Sequence, residues 1–189
     1  MPGSGETIGY NAFLDQVADR LGKSPTGLEN FNFSEKEFKS LMDRVILSLL
    51  ETPQAKAQNL KATVDAVIKF GPDSGTVMAK AKITDPVPGE LSINCKLEND
   101  PSRPGSLKLA APAEVRQEGM RLAGALMLKG IDPAALANEK LADPVMALSQ
   151  FLKNELSTRG LKLTGVKMAF GKDSNGVIRL KTVLRAQKA

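Results

Sequence analysis

The feature that most restricts this chain is a change of hydrophobic period. Before residue 53 apolar residues recur every three to four positions; from residue 60 they recur at every second one. Leu60, Ala62, Val64, Ala66, Ile68 and Phe70 alternate with Lys61, Thr63, Asp65, Val67 and Lys69. A Gly71-Pro72-Asp73-Ser74-Gly75 turn follows, and Val77, Ala79, Ala81 and Ile83 return against Thr76, Met78, Lys80 and Lys82. A third run carries Leu91, Ile93, Cys95 and Leu97 on one face, and a short fourth strand is expected around Leu107 and Leu109. Strict alternation describes strands with one buried and one wet face, which is the habit of antiparallel sheets. The small residues Ala62, Ala66, Ala79 and Ala81 on the buried face leave room for a thick element to approach.

That element is a helix over 34–52. Ser34 and Glu37 have capping-box spacing, and Phe33 and Phe38 flank the start as a hydrophobic staple. Phe38, Leu41, Met42, Val45 and Leu49 form one face, and Ile46, Leu47 and Leu50 widen it until the helix is apolar almost all round. Such a helix is buried on more than one side. Pro53 is expected to end it. Upstream, Tyr10, Leu14, Val17 and Leu21 give a short amphipathic helix over 7–21, and 23–33 reads as a loop. With 189 residues in all, the chain divides into an appendage, 1–33, and one domain, 34–187.

After Pro112 a helical stretch is expected over about 113–129. Asp132-Pro133 and Asp143-Pro144 each have the form of an N-cap followed by proline at the first helical position. They start a short helix and a longer one, which runs to about residue 159 and stops at Gly160. Leu161 to Phe170 form a strand whose phase slips at Gly165, as at a bulge. The strand around Ile178, Leu180, Thr182 and Leu184 returns. The turns Phe70-Gly71-Pro72-Asp73-Ser74-Gly75 and Phe170-Gly171-Lys172-Asp173-Ser174-Asn175-Gly176 resemble each other, and each hairpin follows a long apolar helix. Good turn chemistry met twice would look the same. The fold class is α+β, a curved antiparallel sheet of about six strands wrapped on the 34–52 helix, with two αββ-like halves.

Composition removes much chemistry. The chain has no histidine and one cysteine, so Ser-His-Asp and Cys-His catalysis, histidine-containing zinc sites and internal disulfides are excluded. Cys95 falls in phase with Ile93 and Leu97, a core position with no adjacent base. Glu98-Asn99-Asp100 is the best local carboxylate cluster, but it lacks EF-hand spacing and reads as a polar loop. Phosphate-cradling glycine motifs do not occur. The reading is a non-enzyme with no metal and no cofactor.

Net charge is +5, with 1–57 at −2 and the remainder at +7. Dispersed lysines at alternate strand positions keep a sheet face wet, and the same excess could attract an anionic membrane surface. Nucleic acid is not expected as a partner, because Tyr10 is the sole tyrosine and no helix is rich in Lys or Arg. The first residues have neither the basic nor the apolar region of a signal peptide, which by itself suggests a soluble, cytoplasmic chain. What remains is apolar surface. Leu41, Val45 and Leu49, with Met120, Leu126, Met127 and Met146, are the candidate lining of a groove for a lipid or similar apolar ligand, since methionine repacks around varied partners. Core filling is the competing reading of these residues, and the corresponding function is a structural or protein-interaction module with no ligand.

Three stretches carry a family resemblance: the capped start Phe33-Ser34-Glu35-Lys36-Glu37-Phe38, the strand end Gly105-Ser106-Leu107-Lys108-Leu109-Ala110-Ala111-Pro112, and the closing hairpin with Gly160-Leu161-Lys162-Leu163. Over residues 33–187 the chain resembles bacterial cell-envelope domains of the YceB, YpmS and LmeA kind, themselves similar to tubular lipid-binding (TULIP-like) proteins. The resemblance implies a sheet wrapped on a long helix, an apolar groove, lipid handling without chemistry and a cell-envelope location. From this sequence no leader peptide, lipobox or anchor is expected, a departure from that pattern that counts against the envelope location.

Overall fold

The computed structural model describes residues 4–51, 60–85 and 87–189, leaving out the side chains of 4–8 and 120. Helix α1 (Ser4–Lys23) and strand β1 (Leu28–Phe33) precede helix α2 (Glu35–Leu49). Strands β2 (Lys61–Gly71), β3 (Ser74–Asp85) and β4 (Gly89–Asn99) form an antiparallel meander. The short strands β5 (Leu107–Leu109) and β6 (Glu114–Glu118) both pair with β4. Helices α3 (Met120–Leu128), α4 (Pro133–Leu141) and α5 (Pro144–Ser157) follow, and the hairpin of β7 (Leu161–Lys172) and β8 (Ile178–Lys188) ends the fold. The class is α+β with antiparallel sheets throughout.

Among the described residues the strands are eight, in two sheets, where one sheet of about six was expected. The first sheet has the order β2-β3-β4-β5 with β6 also on β4; the second has the order β1-β8-β7. Both helix–hairpin units exist, but their hairpins lie in different sheets. Residues 28–33 are a strand and not loop: Phe31 and Phe33 point inward opposite Thr182 and Leu180. Asn30 and Asn32 had disguised it, because asparagine is also a turn former. The first part of the expected 113–129 helix is strand β6, which gives β4 a partner along Glu90–Asn94. The helix begins only after Gly119, whose φ of 109° suits glycine alone. Helix α1 is no appendage. Its Tyr10, Leu14, Val17 and Leu21 are buried in the same cluster as Phe38, Leu41 and Val45, so 1–33 and 34–187 share one core. Helix α2 ends at Leu49; Pro53, expected to stop it, lies outside the described residues.

The start signals work as the spacing requires. Glu37 N donates to Ser34 Oγ at 3.2 Å, and Ser34 N donates back to Glu37 Oε2 at 2.8 Å. Asp132 and Asp143 accept from Ala135 N and Met146 N, each at 3.1 Å. The register slip at Gly165 is present. From the capped start of α2, Phe38 projects between the two hairpins, 5.8 Å from Phe70 and 6.4 Å from Phe170, while those two rings stand 5.3 Å apart. The hairpins meet so closely that a Cβ at Gly75 would fall 2.7 Å from Phe170 Cζ.

Side chains close the strand edges. β2 is the outer strand of its sheet, and two of its amides reach α2: Phe70 N donates to Glu35 Oε1 at 2.9 Å and Ala66 N to Asp43 Oδ1 at 2.8 Å. Eight helical residues rise about 12 Å and four strand residues about 13 Å, so helix and edge stay in step. Lys39 donates to Asp43 at 2.8 Å and to Asp65 at 2.7 Å. On the outer edge of the second sheet the Asn99 amide replaces a strand: Phe170 N donates to Oδ1 at 2.8 Å and Nδ2 donates to Phe170 O at 3.0 Å. Met168 N donates to Gly105 O at 2.8 Å beside it. Asn138 treats Ala113, just before β6, in the same way. At the opposite edge Arg20 donates to Asn30 O of β1 at 2.8 Å.

Replacing Asn99 with alanine strands the Phe170 backbone groups and is expected to cost about 1–3 kcal/mol, whereas Asn32→Ala on an exposed face should stay within about 0.5 kcal/mol. Urea unfolding of the two variants checks this; equal midpoints would show that the amide does not join the sheets.

Candidate functional site

The six candidate lining residues whose side chains are described do not converge. Leu41, Val45 and Leu49 are buried along α2 in the large core, with Ala66 and Ala79 of the sheet in the same cluster. Leu126 belongs to a smaller cluster with Leu50, Ala81, Ile83, Leu91, Leu122 and Ile131. Met127 and Met146 face solvent, 80% and 66% exposed. The side chain of Met120 lies outside the described residues. Where α3 meets Leu60 and the β3–β4 loop, a small cavity of about 10 Å³ is lined by Leu60, Val87, Leu122, Ala125, Leu126, Lys129 and Ile131. That is about the space a single water needs, and far less than a ligand needs. A second hollow of about 350 Å³ opens to solvent at the end of the β3–β4 hairpin, between Lys82, Ile83, Thr84, Pro88, Gly89, Glu90 and Glu118. Its Glu90 already pairs with Lys80 at 3.3 Å.

The reactive groups are sequestered or occupied. Burial pushes the Cys95 thiol up to about 12, so it is a protonated core residue and no nucleophile. Burial also raises the Tyr10 hydroxyl well above the ordinary phenol, mainly by desolvation. That hydroxyl has no hydrogen-bond partner among the described residues, while Arg44 lies 4.7 Å over its ring. Burial lifts the Asp43 carboxyl, against the pull of Lys39. For Lys39 burial acts downward, but the bonds to Asp43 and Asp65 outweigh it and leave the ammonium raised.

The Glu98-Asn99-Asp100 stretch splits three ways. Glu98 pairs with Lys108 at 3.3 Å, and Asn99 holds Phe170. Asp100 Oδ1 accepts from Ser102 Oγ at 2.7 Å and Ser102 N at 3.0 Å, and its Oδ2 accepts from Arg103 Nε at 3.1 Å. The Ser102 donors, then Arg103, hold the carboxyl at about 2. This turn places Gly105 O against β7. Among the described residues no three acids or thiols converge as a metal site, and no helix is long and apolar enough to cross a membrane.

Sequence reasoning missed Leu128, 90% exposed beside Met127. The 3.6-residue period that buries Leu122 and Leu126 places it on the opposite face, so the signal was there. Val67 and Met78, read as outward from their alternation, stand opposite each other across β2 and β3, 50% and 39% exposed. Comparison with protein-family models, curated proteins and solved structures returned no match to this chain.

Two outcomes test this chemistry. The folded pKa of Asp100 lies below its unfolded value near 3.9, so its contribution is complete above about pH 4 and is lost as pH falls through about 2. Urea midpoints of the wild type should drop more steeply over that window than those of Asp100→Asn; parallel curves would remove Asp100 from the acid response. Cys95 should resist iodoacetamide in the folded protein at mildly alkaline pH and react fully once guanidinium unfolds it.

Proposed function

We propose that this protein is a non-catalytic interaction module that works through its surface. The filled space between α2 and the sheets carries the reading. Phe38, Leu41, Met42 and Ile46 are completely buried, and the cavity beside α3 is about 10 Å³, against the ~300–1,000 Å³ of ordinary ligand pockets; the hollow of about 350 Å³ reaches that range but opens to solvent at the β3–β4 turn, with no residue of α2 in its lining. A ligand in that core would have to displace side chains already at close packing. The thiol is buried, histidine is absent from the sequence, and Asp100 is engaged in its own turn. These facts favour holding over reacting.

Uptake of a lipid or other apolar ligand into a groove is the second reading, and one observation favours it. The small cluster around Leu122 and Leu126 lies under α3, a helix of nine residues, and the cavity sits directly beneath that helix. Outward movement of α3 would enlarge it.

A fluorescent fatty-acyl probe and native mass spectrometry separate the two. The expected result is the bare chain mass and no saturable probe uptake. Saturable uptake that Leu126→Trp abolishes without lowering the unfolding midpoint would replace the first reading with the second.

A further inference from the structure

The two sheets carry their outward charges differently. On the first sheet both signs occur side by side: Lys80 pairs with Glu90, Lys61 with Asp85, Lys108 with Glu98, and Arg116 with Glu114, while Lys69, Lys82 and Lys96 stand among these acids without an ion pair among the described residues. That is how a solvated face behaves. The β1-β8-β7 sheet is different. Its outward positions are Lys162, Lys167, Arg179, Lys181 and Arg185 among Asn, Thr, Gly, Ala, Val, Leu and Gln, with no Asp or Glu.

Of these cations only Arg179 has an acid partner, Asp173 in the hairpin turn at 3.2 Å. Lys162, Lys167, Lys181 and Arg185 are exposed and form no ion pair among the described residues. Residues 161–189 hold seven of the 26 Lys and Arg and one of the 21 acids. This closing hairpin therefore carries +6 and the rest of the chain −1. The register brings the charges together: Arg185 lies opposite Gly165, Lys181 opposite Ala169, and Lys167 opposite Val183. From Arg179 to Arg185 the face runs about 20 Å. Helices α1, α2 and α5 pack on the other side, against inward residues such as Met168, Phe170, Leu180 and Leu184.

We propose that this outer face docks on an anionic lipid bilayer. The inference rests on the reading that the molecule acts through its surface, and it names the partner. Like charges gathered on one face repel each other and are favoured only where a counter-charge is supplied from outside. A bilayer supplies it as a plane, and a sheet face meets a plane with all its cations at once. Nucleic acid fits less well. The face presents no Phe or Tyr for bases to stack on, and its cations sit on strands and not on a helix that could enter a groove.

Sedimentation of the full chain with phosphatidylglycerol-containing vesicles tests the proposal. Binding is expected at low salt, with release at high salt, where the screening length shrinks, and none to phosphatidylcholine alone. Each cation near a charged leaflet contributes about a fivefold factor, so Lys181→Gln with Arg185→Gln should weaken partitioning about 25-fold. The same charge change on the mixed face, Lys61→Gln with Lys80→Gln, should leave it within about threefold, by loss of general attraction only. Circular dichroism and urea midpoints confirm that both variants are folded. No binding to anionic vesicles, equal loss from the two variants, or tighter binding to a DNA duplex than to vesicles at the same salt would each overturn the proposal. Failure here without uptake of the fatty-acyl probe leaves the surface reading standing; saturable probe uptake removes that reading instead.

Discussion

Everything in this fold depends on what satisfies the edges of its strands. A sheet edge leaves amide and carbonyl groups unpaired, and a buried one is costly. Here the edges end on side chains. Glu35 and Asp43 of α2 take amides of β2, Asn99 takes both backbone groups of Phe170, and Arg20 takes a carbonyl of β1. Each contact fixes an orientation as well as a bond. The two carboxylates set the line along which α2 crosses the sheet. The Asn99 amide, with one donor and one acceptor in a plane, imitates a strand residue and so welds two sheets that share no ladder.

With α2 held in that line, the core follows. Phe38 is carried between the hairpins and meets both Phe70 and Phe170. Ala66 and Ala79 permit the close approach of α2 that larger residues would block, while Ala62 and Ala81, expected on the same helix, pack instead in the smaller cluster with Leu122 and Leu126 of α3. The same small residues that suggested a groove let the groove close. Interior volume is thereby used for stability, and on the outer faces the first sheet mixes both signs of charge while the second carries cations without acids.

Local signals were the legible part of the fold. The capping box at Ser34, the Asp-Pro starts at 132 and 143, the hairpin alternation from Leu60 and the slip at Gly165 each act within a few residues, and each appears as read. The misreadings have a common cause. β1 is six residues with polar Asn30 and Asn32, and β6 is Glu-Val-Arg-Gln-Glu; neither has an intrinsic pattern strong enough to declare itself. Both are strands because β8 and β4 offer an edge. Methionines at helical spacing proved to be a poor guide to a shared site, since Met127 and Met146 lie on the wet sides of their helices.

The sequence alone determined the elements with strong periodicity, the class, and the absence of histidine chemistry, because those depend on neighbours a few residues away. Tertiary structure alone decided that the hairpins belong to two sheets, that α1 joins the core, and that five cations spread over two strands form one face without acids. Strand pairing places residues tens of positions apart side by side, and no local pattern encodes which edge a given strand will meet.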